Sequence, residues 1–234
     1  MSLIKIERQK RSLKPYLLTA GIIPLVSLML VYLIAIVSSQ PIPAPVPSGQ
    51  DISSYQFFYQ ISFIANVAGY VMLGAAMLIK YVMEAYSERN IYLTLGYPMS
   101  RKKVFFSKLL LCLSVIGPGV FISIFVTNTL FFISESVYQL ADDTLNFQHV
   151  LDQLPLMLTA VVLVISICLI ALFIGWLRNS IPLVIISAVL LFSIPSNLMS
   201  SGNIFIIMPL TVFLFIFSLI IVALLNNKVS RLEA

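Results

Sequence analysis

Residues 154–177 read LPLMLTAVVLVISICLIALFIGWL and hold no charged side chain. Crossing about 30 Å of hydrocarbon takes about 20 helical residues, so this run is long enough to be a membrane span. Five further runs meet that requirement or come close to it: residues 16–37, 57–79, 104–133, 181–199 and 204–225. The 234-residue chain is 60% hydrophobic and only 10% charged, with a mean hydropathy of +1.03, far from the mix of a water-soluble domain. The expectation is an all-α integral membrane protein, a single transmembrane domain of six helices. Nothing between the runs is long enough to bury a soluble core, so any catalytic domain must belong to a separate chain.

Orientation follows from the basic residues, because Lys and Arg accumulate in cytoplasmic segments. Lys5, Arg8, Lys10, Arg11 and Lys14 precede the first run, and Lys80, Arg89, Arg101, Lys102 and Lys103 lie between the second and third. Arg178 separates the fourth and fifth runs, and Lys228 and Arg231 follow the sixth. Residues 38–56, 134–153 and 200–203 contain no Lys or Arg. Both termini are therefore expected on the cytoplasmic side. Lys108, a turn inside the third run, is able to snorkel back to that face. The formal net charge of +5 then belongs to the cytoplasmic face, where it suits the anionic surface of a lipid bilayer and has no bearing on nucleic acid. The basic start followed by an apolar run looks like a secretory signal, but the run exceeds an h-region of about 7–15 residues and is expected to be a retained span.

The outer connections say less. Pro41, Pro43, Pro45 and Pro47 favour an extended, stiff spacer. Asp142, Asp143 and His149 could in principle hold a metal, yet one His without a set geometry points to an ordinary solvated loop. Cys112 and Cys168 fall inside apolar runs, where a thiol behaves as a small hydrophobe, and no disulfide is expected. Gly117-Pro118-Gly119, in the middle of the third run, predicts a kink or an interruption.

An ionisable group at mid-membrane is expensive and marks a functional site by default. The six runs carry no Asp, Glu, His or Arg, and their one Lys lies near an end. That argues against a proton-driven carrier, a voltage sensor and an intramembrane metalloprotease. No Ser–His pair can form inside the bilayer either, so an enzyme is not expected and no cofactor is expected in this chain. What the runs do hold is mild polarity and small residues: Ser62, Asn66, Gly69 and Gly74 in the second, Thr127, Asn128 and Thr129 in the third. Close helix packing with interhelical hydrogen bonds explains them. So does a weakly polar translocation path lined by Asn66, Thr127 and Asn128, and the residues alone leave both open.

Between the second and third runs lies ERNIYLTLGYPMSRKKVFFSK, residues 88–108. Lys80, Glu84 and Glu88 recur every four residues and would line one face of a helix continuing out of the second run. Gly96 offers a C-cap with Pro98 just beyond it, and Ser100 can cap the next helix, which gives helix, sharp turn, helix. Arg101, Lys102 and Lys103 then fall in a first turn, where the macrodipole disfavours them by a few tenths of a kcal/mol each, up to about 1. Anionic headgroups or acids on a docked partner would offset that cost.

Leu95-Gly-Tyr-Pro-Met-Ser-Arg-Lys-Lys103 followed by Ser107-Lys-Leu-Leu110, with an acid some ten residues upstream, resembles the segment between spans 2 and 3 of ABC-2-type transporter permeases. Ile4-Lys-Ile-Glu-Arg-Gln-Lys-Arg-Ser12 resembles the N-terminal segment of the same family, above all of its small lantibiotic-immunity and peptide-export members. The resemblance implies a bacterial cytoplasmic membrane protein whose residues 84–101 dock onto a separate ABC ATPase, itself a dimer that binds ATP and Mg. Glu84, Glu88, Tyr92, Leu95, Gly96, Pro98, Ser100 and Arg101 would carry that coupling. It also implies a cytoplasmic elbow over residues 1–15, and a second permease subunit, identical or related. The chain's lack of a G-x-x-x-x-G-K-[ST] phosphate loop agrees with a borrowed motor. The reading that follows is a permease exporting an amphipathic substrate, such as a peptide. The alternative is a non-transporting membrane immunity or assembly protein that binds its target directly.

Overall fold

The computed structural model describes residues 13–38, 55–84, 101–138, 153–178, 180–200 and 204–231. They form α1 (Lys14–Ser38), α2 (Tyr55–Leu78), α3 (Arg101–Tyr138), α4 (Gln153–Leu177), α5 (Ile181–Ser200) and α6 (Ile204–Arg231). No strand occurs among the described residues. All six helices are long and apolar enough to cross a membrane. A helix is the natural answer to such sequences, since it satisfies every backbone polar group within its own segment.

Burial separates a centre from a periphery. In α2 and α4, 61% of the span lies buried inside the protein, against 17% in α1 and 22% in each of α5 and α6. Accordingly α4 packs on α2, α3, α5 and α6, while α1 packs on α2 and α3. Small residues make the centre possible, because association in lipid depends on close van der Waals approach. A Cβ added at Gly74 of α2 would lie 2.5 Å from Cys168 Sγ of α4 and 3.2 Å from Ile116 Cδ1 of α3. Likewise a Cβ at Gly175 of α4 would lie 2.1 Å from Val184 Cγ2 of α5. Just beyond α4 the chain reverses tightly, with the Ser180 N–H donating to the Gly175 carbonyl at 3.1 Å.

Two expectations change. The third run is not interrupted at Gly117-Pro118-Gly119, since α3 runs through Pro118 without a break. A proline forfeits one backbone bond, which a membrane-spanning helix tolerates without ending. Second, α2 does not continue as a plain α-helix. From Ile79 to Met83 it widens into a π-helical turn, closed by the Glu84 N–H donating to the Ile79 carbonyl. In α winding a four-residue repeat drifts by about 40° per step, so Met72 to Glu84 would turn by about 120°. The wider turn takes up part of that drift. It leaves Met72, Ala76 and Lys80 exposed on one line and Glu84 half-exposed, while Ile79, Tyr81 and Val82 stay buried.

Candidate functional site

Where α1, α2, α3 and the start of α4 meet, the interior is polar. Ser62, Asn66 and Tyr70 recur every four residues along α2, and Ser123 and Thr127 do so along α3, which places each set on one helix face. Asn66 is fully buried, and Thr127 and Asn128 nearly so. The Ser62 hydroxyl donates to Asn128 Oδ1 at 2.6 Å, and Asn128 Nδ2 donates to Gln153 Oε1 at 2.8 Å. Asn66 Nδ2 donates to the Ser62 carbonyl at 2.8 Å, with Thr127 Oγ1 at 3.5 Å, and the Ser123 hydroxyl donates to Asn66 Oδ1. The structure thus brings Asn66, Thr127 and Asn128 into one network. Ser123, Gln153 and Tyr70 are members that the sequence reading missed. The i, i+4 spacing would have flagged Ser123 and Tyr70; nothing in the sequence would have taken Gln153 from its loop into the bundle.

The inner end of this network answers a need created by proline. Pro24 lies inside α1 and has no N–H, so the carbonyl four residues earlier, Ala20, loses its helical partner. The Tyr70 hydroxyl of α2 donates to that carbonyl at 3.0 Å. Gly119 of α3 makes room for the ring, since a Cβ there would lie 2.8 Å from Tyr70 Cε1. Thr127 Oγ1 adds a longer bond to the Pro24 carbonyl at 3.4 Å, and Ile23 presses on Gly69, where a Cβ would be 2.9 Å from its Cγ2. Tyr70→Phe is therefore expected to cost about 1 kcal/mol, in the range found for hydrogen bonds within membranes. Pro24→Ala restores the missing N–H, so in that background Tyr70→Phe should cost far less. Thermal unfolding of the four variants in detergent checks the coupling.

The basic end of the bundle is aromatic. Phe105 of α3 meets Trp176 of α4 edge-on, with centroids 5.7 Å apart at 76°, and Tyr16 of α1 meets Tyr81 of the π turn at 5.8 Å. Lys108 does not snorkel to the surface: it is 8% exposed, among buried Val104, Phe105 and Leu109. The reason is that α3 begins at Arg101, which sets Lys108 two turns inside the helix on its packed side.

Of the coupling residues, Glu84 ends the π turn and Arg101 opens α3. Glu88, Tyr92, Leu95, Gly96, Pro98 and Ser100 lie outside the described residues, as do residues 1–12 of the elbow, the prolines at 41–47, and Asp142, Asp143 and His149. Among the described residues no group of His, Cys, Asp or Glu is placed to hold a metal ion.

No family model and no solved structure matches the chain. It is similar to the uncharacterized protein YcbO of Bacillus subtilis (strain 168), with 28% identity over 134 residues, 56% of this chain. The match spans 57% of that relative's length.

Proposed function

We propose that this chain is the membrane-spanning permease subunit of an ATP-driven ABC exporter in a bacterial cytoplasmic membrane. It moves an amphipathic substrate, a peptide in the first instance, outward from the cytoplasm or inner leaflet. A separate ABC ATPase dimer binds ATP and Mg and drives it, and a second permease subunit completes the transporter. The observation that carries this reading is the resemblance of residues 84–103, joined to the way the flanking helices approach them. A π-helical turn ends α2 at Glu84, and α3 starts at Arg101, directly after the proposed cap Ser100. Spans without a central charge suit a cargo with a large apolar surface.

The test is co-purification of an ATPase with the tagged chain, followed by transport in cells. Glu88→Ala and Arg101→Ala are expected to reduce export at least ten-fold with the amount of membrane-inserted protein unchanged. Absence of any ATPase, together with unchanged export in both variants, overturns the assignment. One observation favours the second reading, a non-transporting immunity or assembly protein. Asn66 faces Thr127, and Asn128 is bonded to Ser62 and Gln153, so a translocation path along them requires α2 and α3 to part.

A further inference from the structure

Pro24 divides α1 into two halves that belong to different cores. On its basic side Leu13, Tyr16, Ala20 and Ile23 pack on the main apolar core, which runs through α2 to α6. Beyond it Leu28, Val31, Tyr32, Ile34 and Ala35 belong to a second core, which among the described residues they share only with residues 57–59 and 61 of α2 and Phe131 of α3. The first half is pinned almost up to the proline itself. Tyr16 meets Tyr81, the Tyr70 hydroxyl donates to the Ala20 carbonyl at 3.0 Å, and Ile23 lies against Gly69. The second half is held by the Tyr32 hydroxyl, which donates to the Ser134 hydroxyl, and by the edge-on contact of Tyr32 with Phe131 at 5.8 Å. It belongs to the least buried of the six spans.

We propose that the second half of α1, residues 25–38, is a lid hinged at Pro24 over the polar network. Thr127 reaches the Pro24 carbonyl at 3.4 Å. Ser62 lies two turns along α2 from Gly69, on which α1 rests, and so on the face turned to the lid. Proline supplies no N–H to the turn that it closes, so α1 bends there at less cost than elsewhere. The Tyr70–Ala20 bond survives the movement, because both of its members lie on the pinned side. Residues 25–38 at 1.5 Å per residue make a lever of about 21 Å, and a change of about 20° at the hinge carries its tip about 7 Å. That lifts Tyr32 off Phe131 and opens Ser62 and Thr127 to water or to a ligand, whose hydrogen bonds replace those the network makes with itself. Such a lid serves an exporter and a target-binding protein alike.

Distances between pairs of spin labels on the full chain in nanodiscs, read by double electron–electron resonance, test this without reference to transport. The labels go on exposed sites: Leu33→Cys with Thr129→Cys across the lid, and Leu18→Cys with Leu110→Cys across the pinned half. Cys112 and Cys168 are buried, and the parent chain without added cysteines sets the background. The lid pair is expected to show two distances, about 7 Å apart for the lever above, and the pinned pair one. Phe131→Ala removes the ring against which Tyr32 and Phe58 rest and is expected to raise the lifted population several-fold. Pro24→Ala restores the missing bond and is expected to lower that population at least five-fold. An unchanged pinned pair reports that each variant is folded, and Val37→Cys with Phe125→Cys serves where the first lid pair does not insert. A single lid distance in both the parent and Phe131→Ala overturns the proposal. So does a second distance that Pro24→Ala leaves unaffected or that the pinned pair shares.

Discussion

Gly175→Ala is expected to destabilise the protein by about 3 kcal/mol, the upper part of the range for forced overpacking. The new Cβ would sit 2.1 Å from Val184 Cγ2 and 3.3 Å from the Ser180 carbonyl oxygen. Neither neighbour can retreat easily. Val184 is fully buried and β-branched, with essentially one rotamer open to it in a helix, while Ser180 belongs to the tight reversal that closes on Gly175. The strain therefore falls on the α4–α5 contact, one of the two main contacts of α5, which also packs on α2 and has 22% of its span buried. Val184→Ala removes the atom that clashes, so the double variant should recover most of the loss. Melting midpoints of the four proteins in detergent decide the matter. A Gly175→Ala variant as stable as the parent would mean that α5 does not pack on α4 in this way.

The helices were legible in the sequence because one requirement dominates them. A run such as residues 154–177 has no alternative to helix inside hydrocarbon, and the described ends of α4 and α5 fall within a residue or so of those expected. The Gly-Pro-Gly in α3 does not interrupt the helix, and one of its glycines has a reason that local rules do not contain. Gly119 is there to admit the Tyr70 ring from another helix, a packing demand invisible along the chain. The π turn at Ile79–Met83 escaped notice in the same way, since its cause is the rotational phase that burial imposes on α2.

Of the polar site, only the half made of obviously polar residues could be read. Asn66, Thr127 and Asn128 attract attention in any apolar run, but the pairing of Asn66 with Thr127 and of Asn128 with Ser62 depends on how α2 and α3 cross. Tyr70 passes as an ordinary amphipathic aromatic until Pro24 in a different helix shows which carbonyl lacks a donor. Lys108 could have reached water, as a lysine near a helix end usually does, but it lies buried on the packed side of α3.

Asn66→Ala is expected to cost about 2 kcal/mol, from a small cavity and from the bonds its carboxamide makes to the Ser62 carbonyl and the Ser123 hydroxyl. Asn66→Leu refills the space and should recover only the cavity part, because Ser123 is left without its acceptor. Removing that partner as well, as Asn66→Leu with Ser123→Ala, is expected to bring the melting midpoint close to that of the parent, since deleting both members of a buried pair is nearly neutral where deleting one is not. This double variant also separates the two explanations that the sequence left open. On the exporter reading proposed above, if the network serves helix packing, a protein with restored stability and two fewer polar groups should export at the parent's rate, and that is the expected result. A stable double variant with export reduced ten-fold or more would instead put Asn66 on the path of the substrate. The closed, mutually bonded arrangement would then be the resting state of a wall that opens when α2 and α3 part.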